Sequence, residues 1–258
     1  MVSLRRLHPE PAELSPEEAI ADLELAGKAP ADRPYVVGNM VSSADGRAVV
    51  DGRSGALGND ADKALFLNLR TQVDAVLVGT GTLRAERYGP IITSDERRGA
   101  RERAGLEPAP LACVISRSLS LPLDIGLFQD PDSRIVLLTP SDADLAPCPA
   151  QVDVVRLEDE DGPAAALAHL RAEHGVRSVL CEGGPTLLGA LVADGVLDEL
   201  FLTISPSLAG GGSAPTILNA PAPLGELASL VLLRVLESEG ALLLRYAVSG
   251  SAPAAFGA

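Results

Sequence analysis

Short apolar runs recur along the chain, each closed by a glycine, a proline or small polar residues. Tyr35–Ser42, Asp74–Val78, Leu111–Ser116, Arg134–Thr139, Val152–Leu157, Val176–Cys181 and Glu199–Ser205 have the length of strands. Most lack polar alternation, which suits a parallel sheet covered on both faces. Helical stretches lie between them: one capped by Asn59 or Asp60 and running through Arg70, then Pro163–His174 and Pro185–Ala193. Asp45-Gly46 is a turn, Ala48–Val50 resumes extended structure, and Gly52, Gly55 and Gly58 make a glycine-rich loop. Leu230–Leu236 and Ala241–Val248 flank Glu237–Gly240 and predict an antiparallel hairpin. Near the start, Ser15-Pro16-Glu17-Glu18 combines an N-cap, a proline at the first helical position and a capping-box glutamate, predicting a helix to about Leu25 that stops at Gly27. The charged stretch Arg84–Pro110 reads as a loop with a short helix. The expected organisation is an arm over 1–33 with one helix, one α/β sandwich over 34–248 with a mostly parallel sheet and an antiparallel edge, and a frayed tail over 249–258.

Composition narrows the function classes. At 258 residues and 47 % hydrophobic, the chain is long enough to bury a core. No apolar run approaches the ~18 residues of a membrane-spanning helix, and no apolar stretch follows Arg5-Arg6 as in a secretory signal. Cys113, Cys148 and Cys181 have neither a disulfide framework nor metal-ligand spacing, so a reduced cytoplasm and no metal are expected. A net charge of −14, with no Trp, argues against nucleic acid as a partner.

Four segments carry candidate chemistry. In Arg177–Ala190 an apolar strand ends at Glu182, Gly183-Gly184 turns, and Pro185 opens a helix. The free N–H groups of Thr186 and Leu187 would form an anion cradle, although a plain strand-to-helix turn has the same composition. Gly79, Thr80, Gly81 and Thr82 follow another strand, at the sheet edge where ligands bind in open α/β folds. Met40–Leu57 places Ser42, Ser43 and Ser54 beside two Asp-Gly turns, a pattern that two ordinary turns also produce. Asp62 sits in the first turn of its helix, where a carboxylate either serves the helix dipole or faces the pocket to pair with a ring N–H and an exocyclic amine.

Taken in order, five elements resemble the reductase domain of the riboflavin-biosynthesis deaminase-reductases: S-x-D-G at Ser43–Gly46, Leu69-Arg70, D-A-x-L-V-G-x-x-T at Asp74–Thr82, E-G-G-P-T-L at Glu182–Leu187 and V-L-D-E-L at Val196–Leu200. The resemblance implies a dihydrofolate-reductase-like three-layer sandwich that works as a homodimer. It implies a reductase that uses NADPH to convert the ribosyl group of 5-amino-6-(5-phosphoribosylamino)uracil to ribityl. No counterpart of the zinc deaminase domain is recognisable, so a stand-alone reductase is expected. Carried over by position, Gly183, Gly184, Pro185, Thr186, Leu187 and Leu188 hold the pyrophosphate, with Thr82 and Glu86 at the cofactor and Val41 and Ala56 lining it. Ser116 and Arg117 resemble a 2′-phosphate site. Ser43, Ser54, Arg70 and Glu182 fall to the substrate.

Departures from the family pattern raise an alternative. Asn39 stands where the family often has lysine, and after Thr82 the run Glu86-Arg87-Tyr88-Gly89-Pro90-Ile91 lacks the arginine that helps hold the substrate phosphate. Arg87, Arg97 and Arg98 are candidate substitutes. Asp62 and Phe66 resemble the D-x-x-x-F of dihydrofolate reductases, which makes Asp62 the candidate catalytic and substrate-anchoring acid. An NADPH-dependent dihydrofolate or pterin reductase is therefore the alternative, and a non-catalytic nucleotide-binding protein the third reading.

Overall fold

The computed structural model describes residues 2–158, 161–220 and 227–249. The apolar runs become β3 (Tyr35–Ser43), β4 (Ala75–Gly79), β5 (Leu111–Ile115), β6 (Arg134–Thr139), β7 (Gln151–Arg156), β8 (Ser178–Cys181) and β9 (Glu199–Ser205). These lie parallel in the order β9-β3-β8-β4-β5-β6-β7. The expected hairpin is β10 (Ser229–Ser238) with β11 (Ala241–Ser249), and β11 pairs antiparallel to β9.

Both faces of the parallel part are covered, as its apolar strands require. Val76 and Val78 of β4 point to one side, where helix α1 (Asp60–Leu69) contributes Ala61, Leu65 and Leu69. Ala75 and Leu77 point to the other, against Leu167 and Leu170 of α5 (Pro163–His174) and Leu188 and Leu191 of α6 (Pro185–Ala193). The result is the expected three-layer α/β sandwich. Within Thr80–Gln129 the chain also forms α2 (Thr80–Glu86), α3 (Asp95–Arg103) and α4 (Gly126–Gln129). Only α3 corresponds to the short helix expected there.

The arm departs from expectation. The Ser15–Glu18 capping box forms, with Ser15 N–H donating to Glu18 Oε2 (2.8 Å) and Glu18 N–H to Ser15 Oγ (3.2 Å). It opens only a 3-10 turn, Glu18–Ile20, followed by a second at Leu25–Lys28. Leu23 and Leu25 are both buried, and residues two apart cannot share one helix face. The chain turns at Glu24 (φ +43°) instead. Upstream, β1 (Leu4–His8) and β2 (Ala12–Leu14) extend the sheet beyond β10 to eleven strands. Ala48–Val50 is no strand either; one isolated bridge, Val50 to Arg53, is all that forms. Of the expected tail, Gly250–Ala258 lie outside the described residues.

The acids of the V-L-D-E-L element tie the arm down. Asp198 takes two hydrogen bonds from Arg33 (2.7 and 2.8 Å) and the Val36 N–H (2.8 Å). Buried Glu199 accepts from Arg245, Tyr35 and Lys28. Burial works against the charge on Glu199, but Arg245 and Lys28 outweigh it and hold the carboxyl below its ordinary value. Both acids stand at the amino end of β9, opposite the edge described next.

Candidate functional site

At the carboxyl edge of the parallel strands, two glycine turns meet. The Gly79 N–H donates to Gly183 O and the Glu182 N–H to Leu77 O, both at 3.0 Å, so the exits of β4 and β8 are stitched together. Gly183 has φ +85° and the Gly183–Gly184 peptide is cis. A Cβ on Gly184 would lie 2.9 Å from Thr82 Oγ1. Helices α2 and α6 therefore start side by side from Gly79 and Gly184. The first backbone bond of α6 runs from Leu188 N–H to Gly184 O, which leaves the N–H groups of Thr186 and Leu187 at the helix start as donors. The Thr186 hydroxyl accepts from Asn219 Nδ2 (3.3 Å), and Asn219 N–H holds Pro185 O (3.0 Å). Next along the edge, Ser116 is buried with its N–H on Leu138 O, while Arg117 is exposed and makes no hydrogen bond or ion pair among the described residues.

Facing this edge from one side is α1. Asn59 caps it, accepting the Asp62 N–H (2.9 Å), and its own amide donates to Ser238 O in the hairpin (3.0 Å). Asp62, Phe66 and Arg70 are spaced by four and share one helix face. The Asp62 carboxyl lies against Gly58, where a Cβ would come within 2.3 Å of Oδ2. Burial raises its pKa, partly countered by the Thr203 hydroxyl. Thr203 is the register partner of Val41, which brings Asp62 over the strand pair carrying that lining residue.

Arg70 and Glu182, far apart in sequence, form a buried bidentate pair (2.6 and 2.8 Å). Arg70 Nη1 also donates to Ile91 O (2.8 Å), and its guanidinium lies 4.4 Å from the Phe66 ring centroid and 5.6 Å from that of Tyr88. The Tyr88 hydroxyl donates to Glu182 Oε2 at 2.7 Å. Burial opposes the charge on Arg70, but Glu182 more than offsets it and holds the guanidinium above its ordinary pKa. Burial, then the negative Glu182, push the Tyr88 phenol well up. Sequence reasoning missed Tyr88. The available signal was a lone aromatic in the polar stretch Arg84–Gly89.

Other candidates turn out to be tied up locally. Ser43 is buried; its hydroxyl donates to Asp45 and accepts the Arg47 N–H (2.9 Å). Asp45 further accepts the N–H groups of Ala209 (2.9 Å) and Gly210 (2.7 Å), so S-x-D-G pins the loop after β9. Together the Ser43 hydroxyl and these amides hold the Asp45 carboxyl far below the usual range. Ser54 donates both its N–H and its hydroxyl to Glu86 Oε1 (2.9 Å each), closing the glycine-rich loop that carries the exposed Ala56 onto the end of α2. None of the three substitute arginines joins the Arg70–Glu182 cluster. Arg87 pairs with exposed Asp124, Arg97 reaches Asn68, and Arg98 donates to Ile92 O beside a cavity of about 170 Å³ that Glu107 and Asp130 also line.

Comparison with known proteins places this edge in context. Residues 34–239 match the model of the RibD C-terminal domain. The chain is 28 % identical over 190 residues to the 2,5-diamino-6-ribosylamino-4(3H)-pyrimidinone 5′-phosphate reductase of Archaeoglobus fulgidus, covering 72 % of this chain and 87 % of that protein. It is 26 % identical over 230 residues to the protein of the same name from Methanothermobacter thermautotrophicus, covering 84 % and 100 %. Among solved structures, a pyrimidine reductase-like protein from Corynebacterium diphtheriae shares the fold with a TM-score of 0.75 at 22 % identity, covering 91 % of this chain and 99 % of that one.

Proposed function

The chain belongs to the family of RibD C-terminal domains, and from that premise we propose that it is an NADPH-dependent reductase of 5-amino-6-(5-phosphoribosylamino)uracil, converting ribosyl to ribityl by hydride transfer. The observation that carries this reading is the opposition of two features across one sheet edge: the joined glycine turns on one side, and the Asp62–Phe66–Arg70 face of α1 on the other.

The turns fit a dinucleotide. A Cβ would press on Thr82 at Gly184 and on Met40 at Gly183, so the two glycines keep the turn open, and the start of α6 offers N–H donors to a pyrophosphate. Gly79–Thr82 and Gly183–Leu188 would hold it, with Val41, Ala56 and Glu86 around the nicotinamide end. Arg117 has no partner among the described residues and stands beside Ser116, suited to a 2′-phosphate. When bound, NADPH supplies the hydride.

The remaining work falls to this chain's own side chains. Asp62 anchors the pyrimidine ring by accepting its N–H groups. The Arg70–Glu182–Tyr88 cluster forms a rigid wall behind the ribosyl phosphate, and Ser43 and Ser54 fix the turns that flank it. With NADPH deuterated at its transferable position, the ribityl product should gain one deuterium. A folded preparation that yields no labelled product would overturn the reading.

The alternative, reduction of dihydrofolate or a pterin, is favoured by one observation. Asp62 is a half-buried carboxyl beside the sheet edge, while Arg87, Arg97 and Arg98 all engage partners outside the Arg70–Glu182 cluster. A cytoplasmic homodimer completes the proposal. Leu230, Val231 and Leu232 are 44 %, 54 % and 39 % exposed on β10, and β1 covers the edge of that strand only at Val235–Glu237. A second copy packed there would bury them.

A further inference from the structure

Helix α3 is polar along its length, and its one buried residue is an arginine. Arg101 is 1 % exposed and heads the fully buried side chains by volume. Among the described residues no carboxylate pairs with it. Its guanidinium instead donates to three backbone carbonyls at 2.7 Å each: Nη1 to Arg70 and Val73, Nε to Glu107. A buried cation with no carboxylate within ion-pair distance is costly, though Asp74 and Glu107 oppose part of that cost from farther away, and an apolar side chain would fill this volume more cheaply. Burial accordingly lowers the Arg101 pKa to about 10. What compensates is the three carbonyls, among them that of Arg70 at the carboxyl end of α1, where unpaired carbonyls concentrate negative charge.

One of the three residues whose carbonyls Arg101 holds is Arg70, and the guanidinium of Arg70 clamps Glu182. One residue of the candidate site is thus fixed at its backbone from α3 and at its side chain from β8. We propose that Arg101 is a positioning residue, setting the last turn of α1 and with it the Asp62–Phe66–Arg70 face that receives the substrate. It acts through Arg70, while the cofactor turns at Gly79 and Gly183 lie at the far end of β4 from the Val73 carbonyl and are held to each other by their own backbone hydrogen bonds.

The inference rests on α1 being the substrate wall, so the test separates the two. R101K keeps the charge, but a single ammonium cannot reach three carbonyls in that geometry; R101M keeps the volume without charge and serves if R101K does not fold. Below the melting temperature of each variant, kcat/KM for the pyrimidine should fall at least tenfold while the Kd for NADPH stays within twofold. In an R70K background, R101K should add less than a further twofold. Wild-type kinetics with a lowered melting temperature would overturn the proposal and leave Arg101 a purely structural residue. Parallel loss of NADPH affinity, or full additivity with R70K, would also overturn it. Failure of the wild type to reduce the pyrimidine counts against the function and not against Arg101, because amide exchange needs no substrate. R101K should speed exchange over Asp62–Gln72 at least tenfold and leave β4 and β8 unchanged; unchanged exchange in α1 contradicts the proposal.

Discussion

Glu182 takes three hydrogen bonds, two from Arg70 and one from Tyr88, and both partners are buried or nearly so. Removing one donor from a buried carboxylate costs about 1.5–3 kcal/mol. If the substrate site depends on the whole cluster, Tyr88→Phe should lower kcat/KM by about ten- to a hundredfold, with the larger part in KM, as steady-state kinetics would show. Asp62 carries a pH signature. Its pKa is raised in the folded protein, so the native state binds its proton more tightly than the unfolded chain does. The stability that Asp62 contributes is then fully present below the ordinary carboxylate value and is lost as pH rises through the raised one. Asp62→Asn should remove that share of the pH dependence, read as the difference in melting temperature between the two proteins against pH. Asp62 stood out in the sequence by its place in the first turn of a helix, and Arg70 and Glu182 as candidates only through the resemblance to the riboflavin-biosynthesis reductases. Tyr88 and Arg101 did not, because their partners are a distant carboxylate and backbone carbonyls that no periodicity announces.

Among the elements, the turn after β8 is set by local rules alone: an apolar strand, two glycines, then proline at the first helical position. Gly184→Ala would place a Cβ 2.9 Å from Thr82 Oγ1 and force Thr82 to shift, so NADPH affinity should fall by about tenfold or more with a lowered melting temperature, as fluorescence titration and thermal unfolding would report. The arm shows where local rules fail. Its capping box is real, but burial of Leu23 and Leu25 stops the helix after one turn. Helix α2 escaped notice for the opposite reason. Only Leu83 of its seven residues is buried, too little to mark a stripe.

For the whole molecule, the parallel sheet was readable because strands buried on both faces are apolar throughout. Strands β1 and β2 were not, since they stand at the sheet's margin with half-polar sequences and owe their place to pairing with β10. The exposed stretch of β10 bears on assembly. Val231→Asp should convert a dimer to a monomer at micromolar concentration by light scattering with catalysis per folded chain measured alongside; a wild-type protein already monomeric would contradict the proposed assembly. The central claim is tested most directly by NADPH oxidation with 5-amino-6-(5-phosphoribosylamino)uracil and dihydrofolate assayed side by side on one preparation. Faster turnover of the pyrimidine is the predicted result, and turnover of dihydrofolate alone would contradict it.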